Sequence, residues 1–269
     1  VIYRNIGTAS YWASSKVKVT VNKLLLKRIA AVVSVSQHGR ADFIRHYGFP
    51  QERVVYIPNG VDVTEFDNAV LQAARPALRR AWGLQEGDIA LVNVGSLSPE
   101  KNQAELLRLT ADLCASGLPI VLLLVGDGSL KQGLGLLSCH LGIAERVRFL
   151  GSRTGIPELL GAADLFVLTS KTEGMPGVLI EAGLAGLASV AYGVGGVAEV
   201  VAHEATGVVV PAGNYSELVA AVAQLSADHR ARADMGQRAQ QDCLERFDIA
   251  NVALAYEQLF TQVLSGTGS

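Results

Sequence analysis

An excess of either charge is missing from this sequence: 23 lysines and arginines face 25 aspartates and glutamates, for a formal net charge of −2. Nucleic-acid binders ordinarily display a basic stripe, so no nucleic-acid partner is expected. Cysteine is scarce as well. Cys114, Cys139 and Cys243 are odd in number and widely spaced, which suits free thiols in a reducing compartment and offers no metal-ligand spacing. No apolar run reaches the length that crosses a bilayer and no signal peptide is visible, so the expected location is cytoplasmic. No Gly-X-Gly-X-X-Gly follows an apolar segment, and the dinucleotide-binding fingerprint is therefore absent.

What is present is ample material for a globular core. Of 269 residues, 49% are hydrophobic and 18% charged, with 28 glycines, a length that allows one or two domains. The chain opens on Val1 rather than methionine, and residues 1–4 already read as a strand. A chain rarely begins on a core strand, so a fragment lacking part of an upstream domain is expected.

Residues 5–15 are polar. Residues 16–30 mix Val17, Val21, Leu24, Leu25 and Ile29 with Lys16, Lys18, Lys23, Lys27 and Arg28, the pattern of an amphipathic helix with a basic face. Two readings of it stand: a helix packed on the core with its charges in water, or a surface helix that meets anionic lipid head groups. Residues 31–35 then read as a strand, 39–47 as a helix and 54–57 as a strand. Pro58-Asn59-Gly60-Val61-Asp62 is a turn cluster, residues 67–75 read as a polar connection, and a domain boundary is placed near them.

From residue 89 the order becomes regular. Apolar strands at 90–94, 120–125, 147–150, 165–168, 188–191 and 208–210 alternate with helices at 103–116, 130–141, 156–160, 178–184 and 216–225. Repeated βα units imply an α/β fold, a parallel sheet covered on both faces, with ligands outside the carboxyl ends of the strands. Gly95, Ser96 and Lys101, then Gly126 to Gly128, then Gly151 to Arg153, and finally residues 173–177 all follow strands at that one edge. Four loops from separate parts of the chain thus converge on one crevice, an arrangement suited to a nucleotide.

The last of these loops carries the most chemistry. Glu173 and Glu181 flank Gly174-Met175-Pro176-Gly177, after an apolar strand and before an Ala-rich helix. The first N–H groups of a helix have no intrahelical partner and its dipole adds positive potential, so strand, tight turn and helix build an anion site. A carboxylate beside a phosphate has a use if it accepts hydrogen bonds from a ribose or sugar diol. On these residues alone, the pair reads equally well as a first-turn acid complementing the dipole and an exposed helix residue.

The ordered series of motifs resembles the retaining GT-B glycosyltransferases of family 4 (glycosyl transferases group 1), which use nucleotide-sugar donors. The separation of Glu173 and Glu181 matches the family's E-x7-E signature, and residues 58–62 are similar to its interdomain P-N-G-V-D. Gly95 to Asn102 resembles the loop bearing G-R-L and, further on, a lysine. Val125 to Gly128, Phe149-Leu150-Gly151, and Gly195-Gly196 with Glu199 fall in the family's order too. The resemblance implies two facing Rossmann-like domains, the donor in the second, and a C-terminal helix crossing back. Residues 1–65 would then be the last part of an otherwise missing acceptor domain, 66–245 the donor-binding domain and 246–269 the crossing helix.

The resemblance also implies roles. Glu181 would hold the donor's ribose hydroxyls. Glu173 would contact the donor sugar, with Gly174, Met175, Pro176, Gly177 and Val178 beside the sugar and diphosphate. Gly95, Ser96, Gly126 and Gly128 would line the donor site, and Arg153 would lie near the base. Lys101 would neutralise the leaving diphosphate, which makes Glu173 and Lys101 the implied catalytic pair. No metal and no cofactor is implied: the sequence has no Asp-X-Asp motif, and helix-terminal N–H groups with a lysine can stabilise the leaving group. The implied partners are a nucleotide-sugar donor and a glycan or lipid-linked acceptor, with peripheral contact at the inner membrane surface. One departure stands out, because Ser96 occupies the place of the family's arginine. A catalytically inactive nucleotide-sugar-binding module is therefore the second expectation. An epimerase or phosphorylase of the same fold does not account for the two glutamates in this setting.

Overall fold

The structure, a computed structural model, describes residues 1–13 and 15–265. The chain runs β1 (Ile2–Asn5), α1 (Ala9–Trp12), α2 (Lys16–Leu26), β2 (Ala31–Ser34), α3 (Gln37–Tyr47) and β3 (Val54–Tyr56). It continues through α4 (Asn68–Ala81), β4 (Ile89–Val94), α5 (Gln103–Ala115), β5 (Ile120–Val125), α6 (Lys131–His140), β6 (Val147–Gly151) and α7 (Ile156–Ala162). Then come β7 (Leu165–Leu168), α8 (Gly177–Leu184), β8 (Ser189–Tyr192), α9 (Val197–Val200), β9 (Gly207–Val210), α10 (Tyr215–Ala227), α11 (His229–Arg246) and α12 (Ile249–Leu264).

Two parallel sheets result, as the α/β reading requires. The first has the order β1-β2-β3 and the second β6-β5-β4-β7-β8-β9. Period-two alternation explains the near-continuous apolar runs of the second sheet. Val92, Leu123 and Phe166 face a core shared with Leu71, Leu159, Leu179 and Cys243. Leu91, Leu122 and Val167 face the opposite core, with Leu106, Leu134, Leu218 and Val222. The chain steps outward from β4 to β6, then returns to β7 on the other side of β4. The carboxyl ends of β4 and β7 therefore flank the point where strand order reverses, the place where open α/β sheets leave a crevice.

The two sheets are tied by the segment around Val61. Val61 donates to the Phe247 carbonyl at 2.9 Å, and Ile249 donates to the Val61 carbonyl at 3.0 Å. From there α12 lies back on the first sheet, where Val252 and Leu259 pack against Val33 and Ile57.

One expectation is corrected, one helix was not expected, and one helix packs less of its apolar face than its pattern suggests. Residues 67–75 are not a polar connection but the first half of α4. Asp67 caps it through the Ala69 and Val70 amides, and Leu71 and Trp82 are buried, while Pro76 sits inside the helix and disguises it. Arg75 and Arg79 hold the helix in place by pairing with Asp164 at 2.5 and 2.8 Å. The helix α11 has no apolar stripe to announce it, because Arg232, Gly236, Ala239 and Cys243 form its buried face. Burial there pushes the Cys243 thiol up to about 12. Finally, the inward face of α2 carries Leu26 with partly buried Val19, while Val17, Val21, Leu24 and Leu25 remain 51–74% exposed among the lysines.

Candidate functional site

The site begins with backbone geometry at the carboxyl edge. Gly95 donates to Val125, Gly126 to Gly151, and Leu97 to Asp127, at 2.9, 2.9 and 3.0 Å, so the loops after β4, β5 and β6 lie against one another. A Cβ on Gly126 would strike the Gly95 carbonyl oxygen, which is why a side chain is excluded there. Gln103 donates from its side chain to the Ser96 carbonyl at 2.8 Å, and Thr169 Oγ1 reaches the Asn102 carbonyl at 3.1 Å, linking the β4 loop to β7.

At that junction Lys101 Nζ meets Glu173 Oε1 at 2.7 Å, with 22% and 9% of the two side chains exposed. So little water reaches this ion pair that each charge depends on the other. Both residues line a cavity of about 490 Å³ whose far wall belongs to the first sheet, including Tyr3, Trp12, Asn22 and Tyr47. That volume lies within the range of small-ligand sites. Lys101, Glu173 and Gly174 are thus brought together, with Gly95 beside them: a Cβ on Gly95 would lie 3.7 Å from Lys101 Cε.

Glu181 stands one turn into α8 and lines a neighbouring cavity of about 460 Å³ with Glu65, Phe66, Gly155 and Glu158. Burial raises its carboxyl above the ordinary range, and the charge of Glu65 adds to the effect. Among the described residues no hydrogen bond reaches that carboxylate. Met175 is buried; its carbonyl accepts from Asn59 Nδ2 at 2.8 Å, and Asn59 in turn accepts from Arg4 at 2.8 Å. Pro176 precedes α8 and Gly177 opens it, with Val178 following on the core side.

Two expected residues stand further off. Arg153 donates to the Leu150 carbonyl at 2.8 Å and lines a third cavity with Trp82 and Leu78 rather than the one beside Glu181. Ser96 Oγ lies 3.2 Å from Ser98 Oγ. Gly128 closes the β5 loop against Leu97, where a Cβ would strike that residue's carbonyl. The sequence did not single out Glu65, Thr8 or Trp12, because each acquires its place only when the first sheet closes on the second. Asn59 belongs to the turn cluster of residues 58–62, and its bond to Met175 joins residues 116 apart in the chain.

No group of three or more histidine, cysteine, aspartate or glutamate side chains among the described residues is arranged to hold a metal ion. What the arrangement can do is grip an anion with Lys101 and helix-terminal amides, while Glu173 and Glu181 accept hydrogen bonds from hydroxyls on either side.

The sequence and the fold are similar to those of known proteins. The profile of the glycosyl transferases group 1 family matches residues 74–242, and that of glycosyltransferase family 4 matches residues 6–65. The N-acetyl-alpha-D-glucosaminyl L-malate synthase of Bacillus anthracis is 30% identical over 187 residues, 70% of this chain and 49% of that protein. A GDP-mannose-dependent phosphatidylinositol monomannoside mannosyltransferase of Mycolicibacterium smegmatis is 33% identical over 80% of this chain and 59% of its own. The chain spans about half the length of the curated relatives it matches. The crystal structure of HepE from Anabaena in complex with UDP and glucose superposes with a TM-score of 0.86 at 27% identity, over 97% of this chain and 71% of that one. A match covering more than half of the sequence, on the fold just described, places the chain in the glycosyl transferases group 1 family.

Proposed function

We propose that the protein transfers a sugar, with retention, from a nucleotide-diphosphate sugar to a glycan or lipid-linked acceptor. One observation carries this reading: the loops after β4 and β7 meet where strand order reverses, and there a lysine–glutamate pair faces a cavity. In this reading Glu181 accepts the two ribose hydroxyls, for which its carboxylate is free. Lys101 leaves Glu173 for the diphosphate and balances the charge that grows as the anomeric bond breaks, helped by the first amides of α8. Glu173, released, accepts from hydroxyls of the donor sugar, and Gly174 to Val178 form the wall beside it. Gly95, Ser96, Gly126 and Gly128 floor the diphosphate site. Arg153 reaches the base by swinging away from the Leu150 carbonyl.

Support comes from HepE, whose crystals contain UDP with glucose or UDP-glucose, and from the mycobacterial relative, described as GDP-mannose-dependent. Calorimetry with UDP, GDP and ADP is the test. Binding of one of them in the micromolar range is expected, and no heat from any of the three would sink the reading. The reaction so proposed needs no divalent metal, so excess EDTA should leave that binding and the transfer rate unchanged.

A nucleotide-sugar-binding module without transfer remains the second reading, and Ser96 favours it. A neutral hydroxyl beside Ser98 replaces a cation that would otherwise share the diphosphate charge. Transfer or donor hydrolysis by this chain alone excludes it.

For the acceptor side, we propose peripheral contact with the cytoplasmic face of a membrane. No helix of the described residues is long and apolar enough to cross one. However, α2 presents Val17, Val21, Leu24 and Leu25 to solvent among Lys16, Lys18 and Lys23, beside the 490 Å³ cavity that Lys18 also lines. Co-sedimentation with phosphatidylglycerol vesicles but not with phosphatidylcholine vesicles is expected, and equal behaviour with both would remove the proposal.

A further inference from the structure

Glu199 lies on α9, beside the second sheet, yet its carboxylate serves the first. The backbone N–H of Gln37 donates to Oε2 and that of His38 to Oε1, both at 2.8 Å. These are the first two residues of α3, whose own N-cap Ser36 satisfies only the Gly39 amide, at 3.0 Å. Two orphan donors and the positive end of the helix are thus closed by a carboxylate borrowed from another sheet. Bonds of this charge-assisted, two-pronged kind fix geometry as well as adding energy.

The turn that carries Glu199 also touches the donor-side loop. Gly196 donates to the Gly174 carbonyl at 2.7 Å. A Cβ on Gly196 would strike that oxygen and lie 2.8 Å from Ser36 Cβ, so the turn is wedged between the start of α3 and the loop before α8. Thr8 Oγ1 reaches the Glu173 carbonyl at 3.4 Å from the first-sheet side. Arg246 donates to the Glu199 carbonyl and stacks over Phe247, which anchors α9 to the end of α11. The main chain at Glu173 and Gly174 is therefore gripped from both sides, and the Glu199 carboxylate joins the start of α3 to the turn on the other side.

We propose that Glu199 is a positioning residue, an intersheet latch: by capping α3 it seats the first sheet on the β8–α9 turn, and through Gly196 it holds the Glu173–Gly174 loop where a donor sugar would meet it. The purpose rests on the function proposed above; the latch itself rests on geometry alone.

Amide hydrogen exchange on the full chain tests it without any ligand. In Glu199→Ala, exchange at Gln37, His38 and Gly196 should quicken by about fivefold or more, while the β5 and β7 amides keep their protection. Gln37→Pro removes one donor at a helix position that accepts proline, and Ser36 already has the extended conformation that must precede it. It should quicken Gly196 less than Glu199→Ala does, and the double variant should fall short of the summed effects. Unchanged protection at Gln37 and His38 in Glu199→Ala overturns the latch. Quickening there with Gly196 unmoved in both variants reduces Glu199 to a cap and overturns the positioning role. With donor present, Glu199→Ala should weaken a nucleotide sugar about fivefold and leave the matching nucleoside diphosphate unaffected. Equal weakening of both overturns the proposal. If the unaltered protein binds no nucleotide, the reading of the site fails and the exchange result still decides the latch.

Discussion

Glu181 shows how far a single side chain can be poised for a ligand it does not yet hold. Its carboxyl is raised by burial and by Glu65, and among the described residues it has no donor. A raised acid favours its neutral form in the fold, so stability is lost as the pH climbs from the ordinary value of 4.5 through the folded one, and the full cost stands above it. Only the anion, however, accepts both hydroxyls of a ribose. Glu181→Gln should therefore stabilise the empty protein at neutral pH by about 0.5–2 kcal/mol, seen in thermal melts, while weakening nucleotide binding. The unaltered protein should also lose affinity as the pH drops through the region just above the ordinary carboxylate range. The Gln variant should lack that component, and parallel pH profiles for the two proteins would refute the ribose role. Lys101 and Glu173 should separate in a different way. Lys101→Ala removes a charge-assisted contact, with an expected loss of about 1.5–3 kcal/mol in diphosphate affinity by calorimetry. Glu173→Gln frees the lysine and should bind the diphosphate at least as well while abolishing transfer.

At the scale of an element, α4 is the helix on which the second sheet's outer face depends. Its arginines meet Asp164, which also accepts the Ala90 amide at 2.7 Å at the start of β4. Burial works against that carboxylate, yet the Ala90 amide and the Arg79 and Arg75 guanidinium groups hold it below its ordinary range. A depressed acid contributes stability that is present above the unfolded value near 3.8 and is lost as the pH falls through the folded one. Asp164→Asn should cost about 3–5 kcal/mol in denaturant unfolding at neutral pH, because two guanidinium groups would be left without their charge partner. The penalty should shrink below pH 4. A constant penalty across pH would mean that packing, not charge, anchors α4. This helix was illegible in the sequence because Pro76 and a cluster of arginines imitate a connection, whereas β5 and β7 were read almost to the residue. An unbroken run such as Ile120–Val125 has few alternatives to a fully buried parallel strand.

For the whole molecule, the cavity beside Lys101 exists only because two sheets face each other across it. The connections that join them include the bonds of Val61 to the chain at Phe247 and Ile249, the Asn59–Met175 and Thr8–Glu173 bonds, the packing of α12, and the Glu199 cap. A nucleotide that bridges the loops of the second sheet should therefore stabilise the whole protein. At a hundredfold excess over its Kd the gain is about 2.7 kcal/mol, or a rise in Tm of about 5–10 °C. A melting curve that stays in place with every diphosphate would contradict the assignment of the site.

By itself the sequence determined the order of βα units, the carboxyl-edge position of the polar loops, and the spacing of Glu173 and Glu181. Each of these follows from local periodicity and from chain connectivity, which act over a few residues at a time. The tertiary structure alone decided which partners those side chains meet. The Lys101–Glu173 pair, the lone carboxylate of Glu181 beside Glu65, the outward turn of the apolar side chains of α2, and the capping of α3 by Glu199 all join residues far apart in the chain. Contacts of that kind are set by how helices and sheets pack in three dimensions, and no pattern of neighbours along the chain encodes them singly.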